Sequence, residues 1–138
     1  MTVIFLDIDG VLNQLQGNFF LDVTCVNHLH DLCHSLNASI VLITSWKKGF
    51  CRNKNMCSKQ ICNLIDLLGD ASIINRTRDC KSRKEEILLY LKEHPEVTKY
   101  VILDDDFEEE IKGLYQVNYK TGLTKSDIKK IRKYVVTV

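Results

Sequence analysis

The chain has 138 residues, 45% of them hydrophobic and 27% charged, with a formal net charge of +1. That length supports one domain with a single core and excludes a second catalytic domain, while the near-neutral balance gives no argument for a global attraction to polyanions or membranes and leaves any such contact to local patches. No stretch approaches the roughly 20 apolar residues of a membrane span, and the first apolar run lacks a basic leader, so a cytoplasmic or otherwise intracellular protein without membrane contact is expected.

The first strand is expected at residues 3–6, where Val3-Ile-Phe-Leu6 is apolar on both faces and stops at Asp7, Asp9 and Gly10. A turn just after Asp7, made cheap by Gly10, lets the two carboxylates converge on a hard cation. Residues 14–21, with Phe19 and Phe20, read as a short irregular segment. Thr24 is the expected N-cap of a helix carrying Val26, Leu29, Leu32, Cys33 and Leu36 at helical spacing, closed by Asn37. A second apolar strand at 39–43 ends in Thr44 and Ser45, followed by Trp46, Lys47 and Lys48.

After a loop with Arg52 and Lys54, Ser58 caps a helix with Ile61, Leu64, Ile65 and Leu68 inward and Gly69 at its end. Residues 71–74 form a short third strand. Ser82 and Glu85 form a capping box for a helix at 83–93. Arg83, in its first turn, places a cation where the helix dipole is already positive, which favours a bound anion there; Lys81 and Lys84 are rivals for that role. The fourth strand, at 99–103, runs into Asp104-Asp105-Asp106, three carboxylates that repel one another unless a cation neutralises them. A fifth strand follows at 114–118, then a turn at 120–122 and a last basic helix at 125–134, capped by Thr124 and Asp127.

Six cysteines occur without a Cys-x-x-Cys spacing, so reduced thiols are expected rather than a zinc site or disulfides. Strands alternating with helices imply right-handed crossovers and an α/β, doubly wound (Rossmann-like) five-stranded parallel sheet. In the order 3-2-1-4-5, Asp7, Asp9, Thr44 and the acidic run all emerge at one carboxyl edge, the crevice where such sheets bind ligands.

The run Asp7-Ile-Asp-Gly-Val-Leu-Asn13, the strand-Thr44-Ser-Trp-Lys47 segment, a cation opening the third helix, and Asp104-Asp105 after the fourth strand resemble, in order, the four motifs of the haloacid dehalogenase (HAD) superfamily. Arg83-x-x-Glu86-Ile87, Leu103-Asp-Asp105 and Thr121-Gly-Leu-Thr124 look similar to a small subgroup found in bacterial and viral proteins, some linked to RNA repair. The resemblance implies an Mg²⁺-dependent phosphohydrolase working through an aspartyl-phosphate, with Asp7 as nucleophile and Asp9 as acid and base. It also implies that Thr44, with Ser45 in reserve, and Arg83 hold phosphoryl oxygens. The Mg²⁺ ligands it implies are Asp7, the backbone carbonyl of Asp9 and an acid of the last pair, Asp105, with Asp104 orienting the cation.

The spacings leave no room for either usual cap insertion. Such an open site suits a macromolecular phosphate, and Trp46, Lys47 and Lys48 beside Thr44 suit a nucleic-acid end, with Lys84 a further substrate contact. A small-metabolite or nucleotide phosphatase is the alternative. From another class, a receiver-like phosphoacceptor or a non-catalytic interaction module of the same fold competes; no Asp ends the second or third strand, as a receiver would require.

Overall fold

The computed structural model describes residues 1–14, 20–69 and 72–138. In chain order it contains β1 (Thr2–Leu6), α1 (Val23–Leu36), β2 (Ala38–Leu42), α2 (Lys59–Leu68), β3 (Ile73–Arg76), α3 (Arg83–Glu93), β4 (Lys99–Asp104), β5 (Leu114–Gln116), α4 (Lys125–Ile131) and β6 (Val136–Thr137). Two 3₁₀ turns, Ser45–Gly49 and Lys54–Met56, lie between β2 and α2.

The sheet has the order β3-β2-β1-β4-β5, every one of these pairings parallel. β1 is buried along both faces, which is why it carries no polar alternation. Side chains alternate between two cores. Ile4, Leu6, Ile40, Leu42, Val101 and Leu103 meet Val26, Leu29 and Leu32 of α1, Ile61 and Leu64 of α2 and Ile131 of α4. On the opposite face Val3, Phe5, Val41, Ile43 and Ile102 meet Ile87 and Tyr90 of α3. Phe5 and Tyr90 pack edge to face, centroids 5.6 Å apart. α3 thus reaches the carboxyl edge from the face opposite the other three helices.

Several boundaries differ from the sequence expectation. The N-cap of α1 is Asp22 rather than Thr24: its Oδ1 accepts from the backbone N–H of Thr24 at 2.8 Å and of Cys25 at 3.3 Å. One carboxylate oxygen accepting from two successive amides, and carrying negative charge at the positive end of the helix dipole, serves the helix start better than a hydroxyl. β3 is described from Ile73 and runs to Arg76, while Ala71, the expected start, lies outside the described residues, as does Phe19. The last helix ends at Ile131 in a 3₁₀ turn, Arg132–Tyr134. β6 was not anticipated: Val136 and Thr137 pair antiparallel with Tyr100 and Lys99, a ladder too short to leave a period in the sequence.

The expected caps at Ser58, Ser82 and Thr124 are present, the last as a full capping box with Asp127. No disulfide forms among the described residues. Among them, no helix is long and apolar enough to cross a membrane.

Candidate active site

Register brings the acids together. Leu6 of β1 pairs with Leu103 of β4, so the next residues, Asp7 just past β1 and Asp104 at the end of β4, lie side by side, and the Asp7 amide donates to the Leu103 carbonyl at 2.9 Å. Asp105 follows one residue later. Ligand oxygens of Asp7, Asp104 and Asp105 lie within 4.8 Å of one another, and all three residues are buried.

The turn after Asp7 is held from several sides. Ile8, Val11 and Leu12 are buried in the core, and the Leu12 amide donates to the Ile8 carbonyl at 2.8 Å. The Gly10 amide donates to Asn13 Oδ1 at 2.8 Å, and Asn13 Nδ2 donates to Asp9 Oδ1 at 3.1 Å. The second oxygen of Asp9 accepts from the indole N–H of Trp46 at 3.2 Å. Two neutral donors on separate loops therefore fix the Asp9 rotamer. From the far side, Gly122 comes so close that a β-carbon there would stand 3.0 Å from the Val11 carbonyl oxygen and 2.8 Å from Cys25 Sγ. That approach accounts for the glycine in the Thr121–Thr124 stretch.

Arg83 opens α3 and points at the acids. Its Nη1 donates to Asp104 Oδ2 at 2.6 Å, and its Nη2 stands 3.6 Å from Asp7 Oδ1. The other oxygen of Asp104 accepts from the Asp106 amide at 2.9 Å. Asp104 is thus engaged on both oxygens, with Arg83 as its charged partner. Burial, and the neighbouring Asp104 carboxylate, push Asp7 up to about 8; Arg83 opposes the rise and a hydrogen bond with Asp105 adds to it. Asp105 is also raised, chiefly by burial, with Asp104 contributing.

A crevice of about 550 Å³ opens over these groups. Asp7, Asp9, Thr44, Ser45, Lys81, Arg83 and Asp105 line it, and Asp106, Phe107, Glu108 and Glu109 form its β4 rim. Thr44 is buried and its Oγ1 accepts from the Trp46 amide at 3.3 Å, capping the 3₁₀ turn; Ser45 is exposed.

Other expected substrate contacts lie elsewhere. The Lys47 ammonium is buried and points away from the crevice, donating to Glu86 Oε1 at 2.6 Å and to Thr77 Oγ1 at 3.2 Å, with Asp79 Oδ1 3.1 Å away. Lys48 is exposed in a neighbouring groove with Arg76 and Arg78, and half-buried Lys84 lines another with Leu88, Tyr100 and Phe107. Among the rivals at α3, Arg83 alone contacts the acids and Lys81 joins it on the wall. The Glu86–Lys47 pair and the Asn13 and Trp46 bonds to Asp9 carry no sequence signal of their own, since each partner is set by folding.

The donor set fits a metal. Three convergent carboxylates, two of them held above the usual carboxylate range by burial and mutual repulsion, present only hard oxygens, which suits Mg²⁺. Among the described residues no other group of three or more His, Cys, Asp or Glu converges in this way.

A parallel sheet of order 3-2-1-4-5 with this acidic cluster and a helix-borne arginine at its carboxyl edge defines a HAD-like domain, a class of hydrolase and phosphatase folds. The family model described as "HAD domain in Swiss Army Knife RNA repair proteins" matches residues 3–128, and the chain belongs to that family. Comparisons with curated proteins and with solved structures gave no match.

Proposed function

We propose that the chain is an Mg²⁺-dependent phosphomonoesterase that acts through an aspartyl-phosphate on Asp7 and takes the phosphorylated end of an RNA strand. The observation that carries the phosphatase reading is the convergence of Asp7, Asp104 and Asp105 with Arg83 in one crevice. The RNA end is supported by the family's description, and by exposed Lys48, Arg52 and Arg78 on the loops that follow β2 and β3, with exposed Arg76 at the end of β3.

Asp7 attacks phosphorus in line, which divides one hard displacement into two easier ones. Asp9 gives its proton to the leaving oxygen, then takes one from the water that hydrolyses the acyl-phosphate. Arg83, with Thr44 and Ser45, binds the non-bridging oxygens, where charge spreads in the transition state. Asp104 holds Arg83 in place through its 2.6 Å bond. Asp7, Asp105 and the backbone carbonyl of Asp9 would hold Mg²⁺. Bound there, it would neutralise the acids and phosphoryl oxygens and let Asp7 act as an anion.

A small phosphomonoester is the second reading. Asp106, Glu108 and Glu109 line the β4 side and would repel a polyanion lying over it. One comparison separates the two: 5′- and 3′-phosphorylated oligoribonucleotides against the matching mononucleotides, with Mg²⁺ at several salt concentrations. An oligonucleotide advantage that shrinks as salt rises supports the RNA end, because counterion release drives the additional binding. Equal efficiency at low salt puts the small ester first, and no turnover of any phosphomonoester removes both.

A further inference from the structure

Beyond Trp46 lies a second cavity, of about 580 Å³, that the chemistry above does not use. Its walls are Trp46, Phe20 and one face of α2, where Gln60, Asn63 and Leu67 stack at helical spacing. Phe20 is 78% exposed and Leu67 39%. Lys59 and Asp66 also line it, and the Asp66 carboxylate is paired with Lys54.

Trp46 is the partition between this cavity and the crevice. Its indole N–H is bonded to Asp9, and its ring lines the cavity. Asp9 protonates the leaving oxygen in the reading above, so the alcohol that departs must lie on the Asp9 side of the phosphate. The next side chain it meets is Trp46. On the other side stand Glu108 and Glu109, which a nucleotide chain would avoid.

We propose that this cavity is the leaving-group subsite and that it takes the nucleobase of the phosphate-bearing nucleotide. Trp46 and Phe20 supply stacking faces, and the amides of Gln60 and Asn63 supply donors and acceptors for the base edge. An aromatic, amide-bearing cavity matches a base. The proposal rests on the assignment of Asp9 as the leaving-group acid.

The test compares kcat/KM for adenosine and uridine 5′-monophosphate with that for ribose 5-phosphate, which offers the same phosphate and sugar without a base. The nucleotides should be better by about tenfold or more, the worth of stacking one base. Leu67→Glu and Phe20→Ala, both at exposed positions, should bring the two substrate types to within about threefold of each other, with ribose 5-phosphate turnover unchanged. Trp46 is the single tryptophan of the chain, so its fluorescence reports on the cavity directly. Adenosine and uridine should quench it and ribose should not, and Leu67→Glu should remove the quench. Equal turnover of nucleotide and ribose phosphate without nucleoside quenching overturns the proposal, as does a nucleotide advantage that survives both substitutions. If no phosphate ester is turned over, the phosphatase reading falls and the quenching experiment alone decides the subsite.

Discussion

A β-carbon added to Gly10 would lie 2.3 Å from Oδ2 of Asp105. The two residues are far apart in the chain and meet because β1 and β4 are neighbours in the sheet. Gly10 also has φ +82°, where any side chain is strained. Gly10→Ala should therefore cost about 1–2 kcal/mol of stability from the backbone alone. It should also displace Asp105 and weaken the response to Mg²⁺ by about tenfold or more, since a ligand carboxylate would be moved. Urea unfolding and Mg²⁺-dependent turnover measure the two effects separately. An unchanged Mg²⁺ response in the folded variant would remove Asp105 from the ligand set.

Lys47 and Glu86 form a buried pair, and breaking it from one side leaves a charge stranded. Lys47→Met should destabilise the fold by about 3–5 kcal/mol, and adding Glu86→Leu should restore most of that loss, because a buried ion pair and an apolar pair differ little in net stability. Denaturant titration of both variants checks this. A Lys47→Met protein of normal stability that had lost only its preference for oligonucleotides would return Lys47 to the substrate contacts.

The raised pKa of Asp7 has a signed consequence for the metal-free protein. The folded chain keeps the Asp7 proton up to about 8, whereas the group's ordinary value is 3.8. Between those values the folded state binds the additional proton. The contribution to stability is complete below the lower value, declines as pH rises and is lost through the upper one. Asp7→Asn cannot ionise, so in chelator its stability relative to wild type should increase steadily from about pH 5 to about pH 8. Saturating Mg²⁺ should flatten the wild-type decline. Parallel pH profiles for wild type and variant in chelator would contradict the electrostatics described for the cluster.

Much of this site was legible because its residues stand where apolar runs stop. Asp7, Thr44 and Asp104 each follow an apolar run with no polar alternation, and a parallel sheet sends all such ends to one edge. Arg83 was legible as a cation at a helix start, though Lys81 and Lys84 could be set apart from it only once α3 was seen to lie on the face opposite α1, α2 and α4. The fate of Lys47 was hidden. In sequence it is one of two adjacent lysines, and the 3₁₀ turn beginning at Ser45 sends the first inward to Glu86 and leaves the second exposed. The bond from Trp46 to Asp9 was hidden for the same reason: a turn rather than a periodic element sets the direction of the side chain.

The central claim is that Asp7 is the group that receives the phosphoryl, and rapid acid quenching during turnover with Mg²⁺ tests it directly. The quenched protein should carry one phosphoryl group on the peptide containing Asp7, lost on treatment with hydroxylamine as an acyl-phosphate is. Asp7→Asn should show neither the adduct nor more than about a hundredth of the wild-type rate, a rise in barrier of at least roughly 2.7 kcal/mol. Steady turnover with no phosphorylated Asp7 at any quench time, or an Asp7→Asn variant that keeps more than that rate, would contradict the account.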